Sequence, residues 1–217
     1  MPTWDVLLTF FGVAVLLALS PGPDNLFVLM QSIQRGPAVG MAVVRGLCVG
    51  IGVHTAAVAV GLAAVVAASP MAFDVMKWCG AAYLLYLAWG AWRAPVEAKA
   101  TDAAQPLSAY PRLNWREDLR WVGRGTVMNL TNPKVLIFFL ALLPQFADPT
   151  RGSVPVQIML LGGTFMLATF LVFGAVAYFS GWFGGLLQRS VRAQRWLNRT
   201  AALVFVGLAV RLATIQK

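Results

Sequence analysis

Two short polar runs interrupt otherwise apolar sequence, and each sets an ionisable side chain beside proline: Ser20 to Asn25 (Ser-Pro-Gly-Pro-Asp-Asn) and Asn129 to Lys134 (Asn-Leu-Thr-Asn-Pro-Lys). Proline has no N–H, so Pro21 and Pro23 strand the helical carbonyls of Leu17 and Leu19, and Pro133 strands that of Asn129. Such oxygens accept from an ammonium group or a cation, while the start of the following half-helix attracts a carboxylate. A break of this kind offers complementary ends to a zwitterion. Asp24 either binds an ammonium group or exchanges a proton; the plainer alternative is that it only caps the half-helix after it. Asn25, Asn129 and Asn132 would supply polar contacts. Lys134 is costly without a partner at such a depth, and Asp24 is the nominated one, directly or through a solute. A permanent architectural pair, or a Lys134 that reaches toward the membrane interface, fits the same residues.

His54 is the single histidine. Gly46, Gly50 and His54 recur at a spacing of four and Gly61 continues near the same face, a pattern of close helix packing that turns His54 toward the interior. It is either a proton relay or a hydrogen-bonded packing residue. Arg45, nine residues earlier, lies on the opposite face and reaches for the interface. Thr164, Thr169 and Tyr178 either line a pathway or bond their own helix. Cys48 and Cys79 both fall in apolar sequence and read as small hydrophobes.

The elements that must position these residues are membrane spans. The chain is 59% hydrophobic and only 12% charged, and its apolar residues come in six blocks near 5–33, 38–68, 71–92, 121–146, 155–187 and 197–213. Each meets the length of about 20 residues that a spanning helix needs. Lipid cannot satisfy freed carbonyls, so both breaks must face protein or a wet cavity. The amino-terminal block lacks a basic region before it and reads as retained.

The formal charge of +9 sets topology rather than pointing to nucleic acid. Arg35, Arg93, Lys99, Arg112, Arg116, Arg120, Arg124, Arg189, Arg192, Arg195 and Arg199 fall on one side of a six-span arrangement. Lys77, Arg151, Arg211 and Lys217 fall on the other. Basic loops stay in the cytoplasm, which puts both termini outside. A re-entrant first block would give five spans and move the amino terminus inside. The basic side would also meet anionic membrane lipid.

The polar stretch Ala94 to Leu119 divides the chain into three spans and three spans, so the second half is inverted relative to the first. The units are 1–93, a cytoplasmic linker at 94–120, and 121–217. A slide of 110 residues sets Pro23 on Pro133 and Asp24 on Lys134; a slide of 113 sets Gly50 on Gly163 and Gly61 on Gly174. Both breaks then meet at the bilayer midplane, where transporter sites of this architecture lie. Small-residue faces permit a homodimer. Enzymatic chemistry has little support: there is no metal-spaced cluster, nucleophile setting or phosphate loop, and no cofactor is expected.

The run Leu19 to Asn25, the helix carrying Gly46, Gly50, His54 and Gly61-Leu62, the span from Gly80 to Leu87 and the Asn132-Pro133-Lys134 element together resemble the LysE/RhtB family of bacterial amino-acid exporters. The resemblance covers nearly the whole chain in order. It implies a multi-pass protein of the bacterial cytoplasmic (inner) membrane that exports amino acids or close relatives, driven by the proton gradient. Pro21, Gly22, Pro23, Asp24 and Asn25 match the family's first signature, Asn132, Pro133 and Lys134 its second, and His54 a position often held by histidine.

The sequence therefore predicts an all-α polytopic membrane protein: six transmembrane helices, two inverted three-helix repeats, broken helices 1 and 4. One amphoteric site would bind an amino acid through Pro21, Gly22, Pro23, Asp24, Asn25, Asn129, Asn132, Pro133 and Lys134, with Asp24 and His54 coupling protons. Rival readings are a metal-ion or other cation exporter, an intramembrane enzyme and an accessory membrane protein.

Overall fold

The computed structural model describes residues 1–20, 22–68, 70–93, 113–180 and 191–214, and the regular structure among them is helical. We label the helices α1 (Trp4–Leu19), α2 (Pro23–Arg35), α3 (Pro37–Ala68), α4 (Pro70–Arg93), α5 (Trp115–Leu130), α6 (Pro133–Ala141), α7 (Val154–Tyr178) and α8 (Val191–Thr214). Proline opens α2, α3, α4 and α6. Its missing N–H falls where a helix has no acceptor for one, so the residue that breaks one helix begins the next. Between α2 and α3 the chain turns through Gly36 at φ 93°, a conformation that favours glycine because no Cβ obstructs it.

Both polar runs produce the expected breaks. The α1–α2 pair bends by 63° and the pair formed by α5 and Pro133–Phe146 by 59°. By length and composition α3 (over Pro37–Gly61) and α7 are each long and apolar enough to cross a membrane, and each bent pair meets the same test taken as one unit. At 1.5 Å per residue the 25 residues of α7 extend about 37 Å, more than the hydrocarbon thickness.

Element boundaries move in two places. Residues 115–120, read as the end of the linker, already belong to α5; Asn114 accepts from Glu117 N at 2.9 Å while the Glu117 carboxylate accepts from Asn114 N at 3.1 Å, a reciprocal cap that starts the helix early. The rest of the linker, 94–112, lies outside the described residues. The fifth block's helix stops at Tyr178, and 181–190 also lie outside them.

Helix α3 packs against α2, α5 and α7; α1 lies on α7, and α4 on α8 and α6. Glycine makes the α3–α5 crossing possible. A Cβ on Gly46 would stand 2.1 Å from the carbonyl oxygen of Val122, and one on Gly125 would stand 2.3 Å from that of Val43. Thr126 Oγ1 uses the closeness to donate to Gly46 O at 3.1 Å. Gly61, which the spacing placed near the same packed face, has open space around it, as has Gly163. Seven residues after His54, this face has no close neighbour among the described residues.

Two apolar clusters fill the interior, and they part at the level of the breaks. One holds Ala18, Val28, Leu47, Trp121 and Phe173. The other holds Leu17, Ile51, Val135, Phe165 and a set of buried phenylalanines, Phe10, Phe138 and Phe139. Two contacts mark the opposite ends of the first bent pair. The amino group of Met1 donates to the Arg151 carbonyl at one end. At the other, the Arg35 guanidinium lies 5.3 Å from the Trp121 ring centre. Arg45 pairs with Asp118 on α5 at that end, so it is held by α5 as well as reaching outward.

Candidate functional site

Where the two apolar clusters part, the breaks bring a polar set together. Asp24, His54, Asn129, Asn132 and Lys134 are all buried, Asp24 with 5% and Lys134 with 8% of its surface exposed. They come from α2, α3 and both sides of the α5–α6 break. Pro21 lies outside the described residues. Gly22 is the N-cap of α2, with no side-chain hydrogen bond at that cap, and Pro23 opens the helix.

The freed carbonyls of the first break are met by side chains. Asn25 Nδ2 donates to Ala18 O at 2.7 Å, and Lys134 Nζ donates to Ser20 O at 2.8 Å. The acceptors are thus those of Ala18 and Ser20 rather than the Leu17 and Leu19 oxygens that helix counting singles out, because Ser20 leaves the helix in an extended conformation. Lys134 lies against Gly22; a Cβ there would stand 3.3 Å from its Nζ. Ser20, outside the site residues expected from the sequence, takes part through its backbone carbonyl.

The second break is capped by its own side chain. Asn132 Oδ1 accepts from Lys134 N at 3.0 Å, and Pro133 opens α6. The Asn129 carbonyl freed by Pro133 accepts from Asn132 N at 3.1 Å. His54 Nε2 reaches the same oxygen at 3.4 Å, in the tautomer that carries the proton on Nε2. The His54 ring also lies 5.6 Å from that of Phe139.

Asp24 does not cap α2. It stands inside the first turn, where the helix dipole favours its charge. Asn132, Lys134 and Asn129 face its carboxyl group. Lys134 is near enough to feel its charge, yet the ammonium group donates to Ser20. Three buried acceptor oxygens in this region, Asp24 Oδ1, Asn25 Oδ1 and Asn129 Oδ1, have no hydrogen-bond partner among the described residues. Buried acceptors left unmatched are expensive, about 1–3 kcal/mol each. The site therefore carries an excess of acceptors, which a donor-rich group such as an ammonium would satisfy.

Gly50 forms the wall behind Asn129: a Cβ there would stand 2.6 Å from Asn129 Oδ1. The glycine spacing pointed to packing, and the packed neighbour is a site residue. Toward the Arg151 end, Phe139 meets Phe165 edge-to-face with ring centres 5.1 Å apart, and Phe10 meets Phe146 in the same way at 5.0 Å. Thr164 bonds its own helix, donating to Leu160 O at 2.9 Å, and Tyr178 is exposed. Cys48 and Cys79 are free thiols. Among the described residues no group of three or more His, Cys, Asp or Glu is placed to hold a metal ion.

Comparison with known proteins converges on one family. The family model described as LysE type translocator matches residues 6–216. An uncharacterized membrane protein of Vibrio cholerae is 32% identical over 97% of this chain and 98% of its own. The homoserine/homoserine lactone efflux protein of Salmonella typhimurium is 31% identical over 99% and 98%. The leucine efflux protein of Salmonella choleraesuis is 28% identical over 96% and 94%. No solved structure matches the chain.

Proposed function

The chain belongs to the LysE-type translocator family and is a membrane transporter rather than an enzyme, and from that premise we propose that it exports an amino acid or a close derivative across the bacterial cytoplasmic membrane as a proton-coupled secondary transporter. The observation that carries the reading is the set of unmatched acceptors around Asp24 at the meeting of two broken helices. An α-ammonium group supplies the donors that this set lacks, and the starts of α2 and α6 attract an α-carboxylate. The efflux relatives, some named for leucine and others for homoserine and its lactone, support an amino-acid-like solute without selecting one.

In this mechanism Asp24 takes the substrate ammonium or, when the site is empty, a proton. Asn25, Asn129 and Asn132 orient the solute. Lys134 holds the end of α1 through Ser20 and would exchange that bond for one to a substrate carboxylate. His54, bonded to the Asn129 carbonyl, would pass protons toward Asp24. The contact pattern supports an inverted repeat: exchanging the halves turns the α3–α5 packing into α7–α1, and leaves α3–α7 and α4–α8 unchanged. Met1 beside Arg151 and Arg35 beside Trp121 support a first bent pair that crosses the molecule from end to end. The arginine-rich end would then face the cytoplasm, with both termini outside. The packed phenylalanines would close the Arg151 end, and alternating access would part them.

The test is efflux from proteoliposomes preloaded with a mixed amino-acid pool under an imposed pH gradient. Selective, gradient-dependent loss of one or a few amino acids establishes the reading. Correctly inserted protein that releases nothing above empty vesicles overturns it.

A further inference from the structure

A second feature lies at the arginine-rich end, away from Asp24. Arg35 at the end of α2 and Arg124 on α5 flank the Trp121 ring, their guanidinium carbons 5.3 and 4.5 Å from its centre. With Arg120 and Glu117 they line a cavity of about 290 Å³. Three guanidinium groups face one carboxylate there, and that carboxylate already accepts from Asn114 N. Among the described residues none of the three arginines is in an ion pair. Like charges gathered around one cavity repel, and an anion between them relieves the repulsion; guanidinium forks suit phosphate.

The cavity does not stand alone. Arg120 and Arg124 also border a second, larger one of about 640 Å³, whose other walls are Phe27, Gly123, Val127 and Met128. This one is apolar apart from the arginines, and it opens on the outside of the helices: Val127 is 61% exposed. Its floor is open at Gly123, where a Cβ would meet nothing within 4 Å. A cationic cavity and an apolar groove thus share two arginines, in a chain whose outer surface is apolar.

We propose that these two cavities are the seat of one anionic glycerophospholipid, its phosphate between Arg35, Arg120 and Arg124 and an acyl chain along Phe27, Gly123, Val127 and Met128. A free phosphate would fill the first cavity and leave the groove without an occupant; a neutral lipid would fill the groove and leave the excess of positive charge over Glu117 unanswered. The bound lipid ties α2 to α5, the half of each broken helix nearest this end. The proposal stands on its own geometry and does not require the transported solute to be an amino acid.

Native mass spectrometry of the detergent-purified full chain tests it, with phosphatidylglycerol, phosphatidylcholine of the same acyl chains, and glycerol 3-phosphate as separate probes. Phosphatidylglycerol should be retained preferentially, and Arg120→Gln with Arg124→Gln should weaken it about tenfold, the order expected for loss of charge-assisted phosphate contacts. Gly123→Leu should displace it by filling the groove. Gly163→Leu, at another open glycine on α7, should not. A thermal-melting measurement on each variant separates lost binding from lost folding. Equal retention of the two lipids, retention unchanged in the arginine double variant or in Gly123→Leu, or glycerol 3-phosphate binding as tightly as the lipid would each overturn the proposal.

Discussion

The ammonium group of Lys134 donates to the carbonyl of Ser20 at 2.8 Å, joining the start of α6 to the end of α1. One broken helix thus supplies a donor to a carbonyl left free where the other ends. The bond is buried, so its removal leaves an acceptor with no water to replace the donor. Lys134→Met is expected to destabilise the protein by about 1–3 kcal/mol. Thermal melting in detergent measures it. An unchanged melting temperature would mean that Lys134 does not hold the break.

Asp24 has a different standing. Its Oδ1 lacks a hydrogen-bond partner among the described residues and it does not cap α2, so the fold does not depend on it as a cap. Asp24→Asn keeps the shape, adds two donors and removes the charge. We expect melting to stay the same or rise, while efflux from proteoliposomes falls to that of empty vesicles. A variant that exports at the wild-type rate would remove Asp24 from the mechanism but leave the exporter reading standing.

How much of this was legible beforehand follows from the kind of signal each residue leaves. Proline breaks a helix through local chemistry, so Pro23 and Pro133 announced both bends and the freed Asn129 carbonyl. The partner of a freed carbonyl is another matter. Whether Lys134 turns to Asp24 or to Ser20 depends on how two segments over a hundred residues apart are packed, and spacing along the chain does not encode it. Gly46 and Gly50 announced close packing correctly, because a missing Cβ is the condition for it. The same pattern extended too far at Gly61, since helices diverge beyond a crossing point. The early start of α5 was legible in the Asn114–Glu117 capping pair; a count of apolar residues overlooks it because that first turn is polar.

His54 separates a relay from a packing residue. Its Nε2 bonds the Asn129 carbonyl at 3.4 Å, and its ring stacks near Phe139. Glutamine can keep the bond but carries no proton at physiological pH. His54→Gln should therefore stay within about 1 kcal/mol of wild-type stability, while the dependence of efflux on pH between about 5 and 8 flattens. A relay is excluded if the pH profile of the glutamine variant overlays that of the wild type.

The glycines of α3 give a graded test along one helix. At Gly46 an added Cβ meets backbone, the Val122 carbonyl at 2.1 Å, and neither helix can yield locally. Gly46→Ala should force α3 and α5 apart and cost about 1–3 kcal/mol. At Gly50 the obstacle is the Asn129 side chain, at 2.6 Å. A side chain moves more readily than a helix, so Gly50→Ala should lower stability less but displace a site residue and reduce efflux more than it reduces folding. At Gly61 nothing stands within 4 Å, and alanine removes backbone freedom from a helix interior; Gly61→Ala should be neutral or stabilising by up to about 1 kcal/mol. Melting and efflux measured on the same three proteins decide the order. Equal effects at Gly50 and Gly61 would mean that the wall behind Asn129 does not shape the site.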